Sequence, residues 1–325
     1  MQNFAYVNAT SIDRVPSLLG RTWDEAVVMA GGTDLIGEMK EDAAHPKRIV
    51  NLKTIPGLRY IREDKTGLRI GALTTLAEIE MSEVVRKGYA ALSQAVFVIA
   101  SPQIRNVGTL AGNICQRPRC WYYRSKDFPC IKKGGARCYA VDGVSRYHAI
   151  FGGGPSYIVH PSDSAPALMA LGGSIKVVGP QGVKEVRLDD FFTLPDMNVR
   201  RENILRPNEV ITEIVVPKPA PNAKSLFLKV RERDSIDFAL ASVAASITLQ
   251  NGVCQQASIV LGGVAPIPWR ATAAEQYLKG RRIDEARAQS TAEAAMEDAK
   301  PMRDNAYKVE IARNLVKQAV MTLSA

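Results

Sequence analysis

Four of the five cysteines, Cys115, Cys120, Cys130 and Cys138, fall within 24 residues of a 325-residue chain. Thiols grouped so closely in a chain otherwise poor in cysteine are metal ligands more often than disulfide partners, and the sparse remainder suits a reducing compartment. Directly before them runs Gln103-Ile104-Arg105-Asn106-Val107-Gly108-Thr109-Leu110-Ala111-Gly112-Asn113, whose glycines and small side chains would let backbone N–H groups come close to an anionic group. A second stretch of the same kind is Ala30-Gly31-Gly32-Thr33-Asp34-Leu35, a double glycine between an apolar run and a helix-forming segment, which aims donors at a phosphate. It has neither the G-x-G-x-x-G spacing of a Rossmann turn nor the lysine of a P-loop. Taken alone, the double glycine reads more readily as a plain tight turn. Two such stretches in one chain point to a single bound dinucleotide.

Charge adds to the cysteine signal. Between Cys115 and His148 stand Arg117, Arg119, Arg124, Lys126, Lys132, Lys133, Arg137 and Arg146 against only Asp127 and Asp142, a net +6 of the chain's +9. Positive charge around thiolates suits an anionic iron–sulfur cluster, because it favours the more negative reduced state. The plainer alternative is a solvated basic loop. A zinc-bearing nucleic-acid module also fits Cys-x4-Cys-x9-Cys-x7-Cys with basic neighbours, but the tight Cys-x2–4-Cys knuckles of structural zinc sites are missing.

The elements that position these residues follow from periodicity and capping. With 46% apolar and 23% charged residues the chain is an ordinary globular one, long enough for two or three domains. The longest apolar run, Ala95 to Ala100, falls far short of the ~20 residues of a membrane span, and the N-terminus lacks a signal-peptide pattern. Strands are expected at Phe4 to Val7, Ala26 to Ala30, Lys47 to Leu52, Leu58 to Ile61, Leu68 to Ile70 and Tyr157 to Val159, with a hairpin of Ser174 to Val178 and Lys184 to Leu188. Helices are expected at Ser11 to Leu19 behind a serine cap, Leu35 to Lys40, Ala77 to Met81 behind a threonine cap, Ala91 to Ala100 stopped by Pro102, and Ala165 to Leu171. Pro217-Lys218-Pro219-Ala220-Pro221 is a stiff linker. Beyond it, strands Ser225 to Val230, Ala239 to Leu249 and Gln256 to Gly262 precede helices near Thr272 to Leu278, Ile283 to Met296 and Ala306 to Leu323, an α+β order. Cys254 stands alone, with no chemistry expected of it.

Ala30 to Leu35, Ile70-Gly71-Ala72-Leu73, Gln103 to Asn113, His160-Pro161-Ser162-Asp163-Ser164-Ala165-Pro166 and Asn208-Glu209-Val210-Ile211-Thr212-Glu213-Ile214 together resemble the FAD-binding (medium) subunit of the molybdenum hydroxylase (xanthine oxidase) family, over nearly the whole chain. The cysteine insert resembles the subgroup whose flavin subunit carries an additional 4Fe-4S cluster, as in 4-hydroxybenzoyl-CoA reductase and a bacterial periplasmic aldehyde oxidoreductase. The resemblance implies an α+β fold: a two-subdomain FAD-binding domain of the vanillyl-alcohol-oxidase/molybdopterin-dehydrogenase type at 1–217, and a C-terminal α+β domain of the CO-dehydrogenase flavoprotein type, a three-stranded sheet with helices, at 222–325. The subdomains would divide at about 57/58, and an iron–sulfur insert would occupy about 114–150.

It also implies roles. Ala30, Gly31, Gly32, Thr33, Asp34 and Leu35 would hold the FAD pyrophosphate, joined by Thr109, Gly112 and Asn113. Asp163 would bind the cofactor's polar chain, with Ile211 and Lys229 near the flavin. Cys120, Cys130 and Cys138 match three cluster ligands. The fourth is either His148 or Cys115, with His148 preferred because in cluster-free relatives a cysteine at the position of Cys115 is a small buried side chain. Imidazole in place of thiolate raises the potential of an iron centre. No residue of this chain would transform substrate. It would pass electrons between iron–sulfur centres and an external acceptor or donor, as partner of a small subunit with two 2Fe-2S clusters and a large subunit with the molybdenum cofactor. The chain's own sequence suits the cytoplasm, and export would need a signal-bearing partner to carry it to the periplasm. A self-contained FAD-dependent oxidase is the rival within flavin chemistry, although no histidine or paired carboxylates are spaced for it.

Overall fold

A computed structural model describes all 325 residues, whose twelve strands form three sheets. In the first, β1 (Ala5–Asn8) and β2 (Val27–Met29) flank β3 (Arg48–Asn51), and both pairings are parallel. A parallel pair needs a crossover, so the chain must leave the end of β2 sharply and return through helix Leu35–Lys40. The double glycine sits at that exit. Ala26, Val50, Leu52 and Leu73 are among the residues that close the small core beneath it.

The second sheet is antiparallel: β4 (Ile61–Glu63), β5 (Gly67–Gly71), β6 (Ser174–Gly179), β7 (Gly182–Arg187) and β8 (Val210–Pro217) lie in the order β4-β5-β8-β6-β7. Leu68 and Ile70 of β5 and Ile214 and Val216 of β8 are fully buried beneath helices Leu76–Met81, Ala90–Phe97 and Ser164–Ala170. Thr75 opens the first of these helices with a complete capping box, its hydroxyl accepting from Glu78 N–H while the Glu78 carboxylate accepts from Thr75 N–H.

The third sheet is a meander of β9 (Ala223–Val230), β10 (Ala241–Gln250), β11 (Val253–Gly262) and the two-residue β12 (Trp269–Arg270). Strand periodicity splits β10 between two cores: Val243, Ala245 and Ile247 face helices Thr272–Leu278, Glu285–Ala294 and Tyr307–Ser324, while Ala244 faces the core of the second sheet. Burial on both faces explains why β10 carries small and apolar residues at successive positions, Val243, Ala244 and Ala245, instead of alternating with charged ones.

The α+β architecture stands as expected, with local corrections. The C-terminal sheet has four strands rather than three, because a two-residue edge strand leaves no periodicity to read. Tyr157 to Val159 joins no sheet. Ser11 makes no side-chain cap, and the chain after it forms a 3-10 turn (Ile12–Arg14) and one helical turn (Val15–Leu18). Helix Ala90–Phe97 ends early, and Pro102 opens a further helix, Pro102–Val107, where a missing N–H costs nothing. Glu83–Gly88, capped by Ser82, escaped the periodicity altogether. All five cysteines are free thiols, and no helix is long and apolar enough to cross a membrane.

Candidate functional site

The exit from β2 is shaped for an anion. Gly32 has φ +74°, a conformation that favours glycine, and a methyl on Gly31 would collide with the Val107 carbonyl oxygen and stand 2.8 Å from its carbon. The two glycine-bearing stretches therefore touch backbone to backbone. The N–H groups of Gly31, Gly32, Thr33, Asp34 and Leu35 donate to no protein acceptor. Five consecutive free donors at a helix start form a cradle that fits a pyrophosphate.

The second stretch works differently from the expectation of free donors. It folds into helices Pro102–Val107 and Leu110–Ile114 that consume most of its N–H groups, Gly112 N–H donating to the Thr109 hydroxyl and Asn113 N–H to the Thr109 carbonyl. Its contribution is shape and a polar anchor: Asn113 Oδ1 accepts from Ser162 and Ser164, 2.6 Å each, and so fixes the turn that carries Asp163.

All twelve cofactor-site residues expected from the sequence, Ala30 to Leu35, Thr109, Gly112, Asn113, Asp163, Ile211 and Lys229, line one cleft of about 430 Å³. At its floor Lys229 Nζ lies 2.7 Å from Asp163 Oδ2, both groups buried. Burial pushes the Asp163 carboxyl up against the opposing pull of Lys229. Cys115 lines the same cleft, its thiol pushed up to about 12 by burial alone. Sequence reasoning missed Arg201, which stacks on Trp23 at 3.9 Å within this cleft, has no carboxylate partner, and is held down at about 10, first by burial and then by Arg117. An arginine beside an aromatic residue has no periodic signature that would have singled it out.

Cys120, Cys130, Cys138 and His148 converge elsewhere. His148 Nε2 is 3.2 Å from Cys120 Sγ, and the Cys120 thiol is pushed up to about 12 by burial, with Cys138 and Cys130 near enough to add to the effect. Cys115 makes no such contribution. Trp121, Tyr122, Phe128, Tyr139 and Tyr147 pack edge to face around the group and keep its surroundings apolar. No three His, Cys, Asp or Glu side chains stand close enough to hold a single metal ion. The donor set of three thiols and an imidazole in an apolar shell suits a wider group with several irons at its corners. A second cavity of about 390 Å³, lined by Cys120 and His148, adjoins the cleft and shares Arg119, Asp163 and Phe238 with it. His148 and His160 both line the second cavity, and their Nδ1 and Nε2 atoms respectively lack hydrogen-bond partners.

The basic residues of the insert do not form a free collar. Asp34 accepts from Arg117 N–H at 2.7 Å, Arg119 at 2.7 Å and Arg124 at 2.6 Å. Arg117 and Lys132 pair with buried Glu202 at 2.8 and 2.5 Å, and Tyr123 donates to buried Glu38. Arg117, Arg119, Arg124 and Lys132 thus stitch the insert to the phosphate cradle and to the segment around Glu202, and are not free to face a nucleic acid. Asp34, expected as a cofactor contact, spends its carboxylate on the insert and offers its N–H to the cradle.

Comparison with known proteins agrees with this geometry. Residues 2–219 match the family described as FAD binding domain in molybdopterin dehydrogenase, and residues 227–323 match CO dehydrogenase flavoprotein C-terminal domain. The chain is similar to the aldehyde oxidoreductase FAD-binding subunit PaoB of Escherichia coli K12, 36% identical over 94% of this chain and 91% of that protein. It is 28% identical to the carbon monoxide dehydrogenase medium chain of Hydrogenophaga pseudoflava over 98% of this chain and 96% of that one. The solved carbon monoxide dehydrogenase from Hydrogenophaga pseudoflava superposes with a TM-score of 0.79, covering 100% of this chain and 99% of that chain. The chain belongs to the FAD-binding subunits of the molybdenum hydroxylase family, the flavoprotein components of molybdenum-dependent oxidoreductases.

Proposed function

We propose that this subunit carries both FAD and a 4Fe-4S cluster, and passes electrons between iron–sulfur centres and an external acceptor or donor within an oxidoreductase of aldehyde oxidoreductase, xanthine dehydrogenase or aryl-CoA reductase type. The reading rests on one observation: a cleft with five free backbone donors lies next to an insert that gathers three thiols and an imidazole. FAD, when bound, supplies the exchange between one-electron and two-electron partners. The chain's residues serve that exchange by placement. Gly31 to Leu35 would take the pyrophosphate, Arg201 an anionic or aromatic part of the cofactor, Asp163 and Lys229 its polar chain and flavin, and Ile211 would wall the ring. Cys120, Cys130, Cys138 and His148 would ligate the cluster, with Cys115 left in the flavin cleft.

The division into a FAD-binding domain at 1–217 and a C-terminal domain at 222–325 is part of the proposal, supported by the extents of the two matching families and by the prolines between them. The partners are a small subunit with two 2Fe-2S clusters and a large subunit with the molybdenum cofactor, as the family resemblance implies. The test is flavin and iron analysis of the complex purified from its natural operon. About one FAD per chain is expected, with cluster iron lost in Cys120→Ser, Cys130→Ser, Cys138→Ser and His148→Ala but kept in Cys115→Ser. A full cluster signal in the first three variants, beyond that of the 2Fe-2S partners, overturns the cluster assignment and leaves the flavin assignment standing.

A further inference from the structure

We propose that Lys308 is the counter-charge of the metal cluster, a positioning residue that favours the cluster's reduced state; this rests on the cluster reading above. Lys308 lies on helix Tyr307–Ser324 and is fully buried. Its ammonium donates to the carbonyls of Tyr147 at 3.1 Å and Gly263 at 2.8 Å, and no carboxylate pairs with it. Every other charged side chain buried to this degree, from Glu38 to Glu209, has an opposite charge within 4 Å. Two carbonyls satisfy hydrogen bonds but do not neutralise a cation, so burial pulls the Lys308 ammonium down to about 7, and an anion beside it would restore its full charge.

The missing negative charge has one evident place to sit. The Tyr147 carbonyl that accepts from Lys308 belongs to the peptide bond leading into His148, and Asn305, just before the same helix, donates to the carbonyls of His148 and Ala149 at 2.9 and 3.2 Å. The helix start is thus registered against the expected fourth ligand. A 4Fe-4S core held by three thiolates and a neutral imidazole is anionic in both redox states and more so when reduced. Bound there, it would supply the charge that Lys308 lacks, and Lys308 would favour the electron's arrival.

The test uses the purified complex, with Lys308→Gln, which keeps donors for the carbonyls but removes the charge, and Lys308→Arg, which keeps the charge. The midpoint potential of the cluster is followed by redox titration with electron paramagnetic resonance, alongside iron and FAD content. Lys308→Gln should retain both cofactors, yet at the wild-type midpoint its reduced-to-oxidised ratio should fall about tenfold, ~59 mV for one electron. Lys308→Arg should stay close to wild type. A wild-type potential in Lys308→Gln, or an equal fall in both variants, overturns the proposal. Failure of both variants to fold with bound flavin also overturns it, by marking Lys308 as a purely structural clasp. Absence of cluster iron from the wild-type complex would instead sink the cluster reading itself.

Discussion

Gly31→Ala isolates what the contact between the two loops contributes to cofactor binding. A methyl at this position stands 2.8 Å from the Val107 carbonyl carbon and 3.2 Å from Gly108 Cα, where ordinary contacts begin at 3.4 Å. The loops must therefore part by at least ~0.6 Å, and forcing an extra methyl into a closed contact costs about 1–3 kcal/mol. The free protein can relieve that strain by letting the loops separate. The bound state cannot, because the cradle and the second stretch line the same cleft. The strain then falls on affinity, and 1–3 kcal/mol corresponds to a roughly 5- to 150-fold weaker Kd. Gly32→Ala is the control: its methyl meets only Ile36 Cγ1 and Met29 Sδ, each at 3.3 Å, so the strain of φ +74° persists with and without ligand. It should lower the melting temperature more than the affinity. The assay is titration of deflavinated protein with FAD, followed by flavin fluorescence, together with thermal melts. An affinity for Gly31→Ala within twofold of wild type would refute the idea that the loops must touch for the cradle to work.

The ion pairs give three further expected outcomes. Asp34→Asn should weaken the hold of Arg119 and Arg124 on the insert and raise the rate of tryptic cleavage at Lys126 or Lys133 by about 5- to 30-fold, matching a loss of 1–2 kcal/mol; an unchanged rate would show that the remaining contacts suffice. Asp163→Asn strands a buried ammonium and should destabilise the flavin-free protein by about 3–5 kcal/mol in denaturant, while adding Lys229→Met should recover most of that loss; equal stability of the single variant and wild type would count against a buried pair. Burial acts to raise the Glu202 carboxyl, but Arg117 and Lys132 outweigh it and hold the group below its ordinary value of 4.5. Its contribution is therefore present above pH 4.5 and is lost as pH falls below it. Wild-type melting temperature should drop more steeply in that range than that of Glu202→Gln, and parallel pH curves would contradict the pairing.

Much of this site was legible in the sequence because its parts are local. The Gly31-Gly32 turn, the threonine cap before Leu76 and the β6–β7 hairpin announce themselves within a few residues, and Cys120, Cys130 and Cys138 stand close in the sequence as they do in space. What escaped was set by tertiary contact. Gln103 to Asn113 reads as an open glycine loop, yet Ser101 and Thr109 cap two short helices there and absorb the donors the loop was expected to present. The insert's arginines and lysines read as a collar around thiolates, because nothing in the linear chain reveals that Asp34, Glu38 and Glu202 wait for them from well outside the insert. Lys308 sits in an amphipathic helix as one more cation among several, and only its burial against Tyr147 and Gly263 separates it from the rest.

The clasp between the insert and the start of the last helix bears on when the protein can be completed. Asp304 accepts from Ser145 N–H, Arg303 donates to the Gly143 carbonyl, Tyr307 to that of Arg146, and Asn305 to that of His148, partners separated by 157 to 161 residues. A ribosome adding about 5–20 residues per second leaves an interval of roughly 10–30 s between the emergence of one side of this clasp and the other. Throughout that time the first half of the insert is tethered by Asp34, already made, while the segment bearing His148 has its contacts with Cys120, Trp121 and Tyr122 but not the clasp. A centre that relied on His148 would therefore be completed only once residues 303–308 have been made, and a truncation from Arg303 onward should leave the thiols in place but His148 without this clasp.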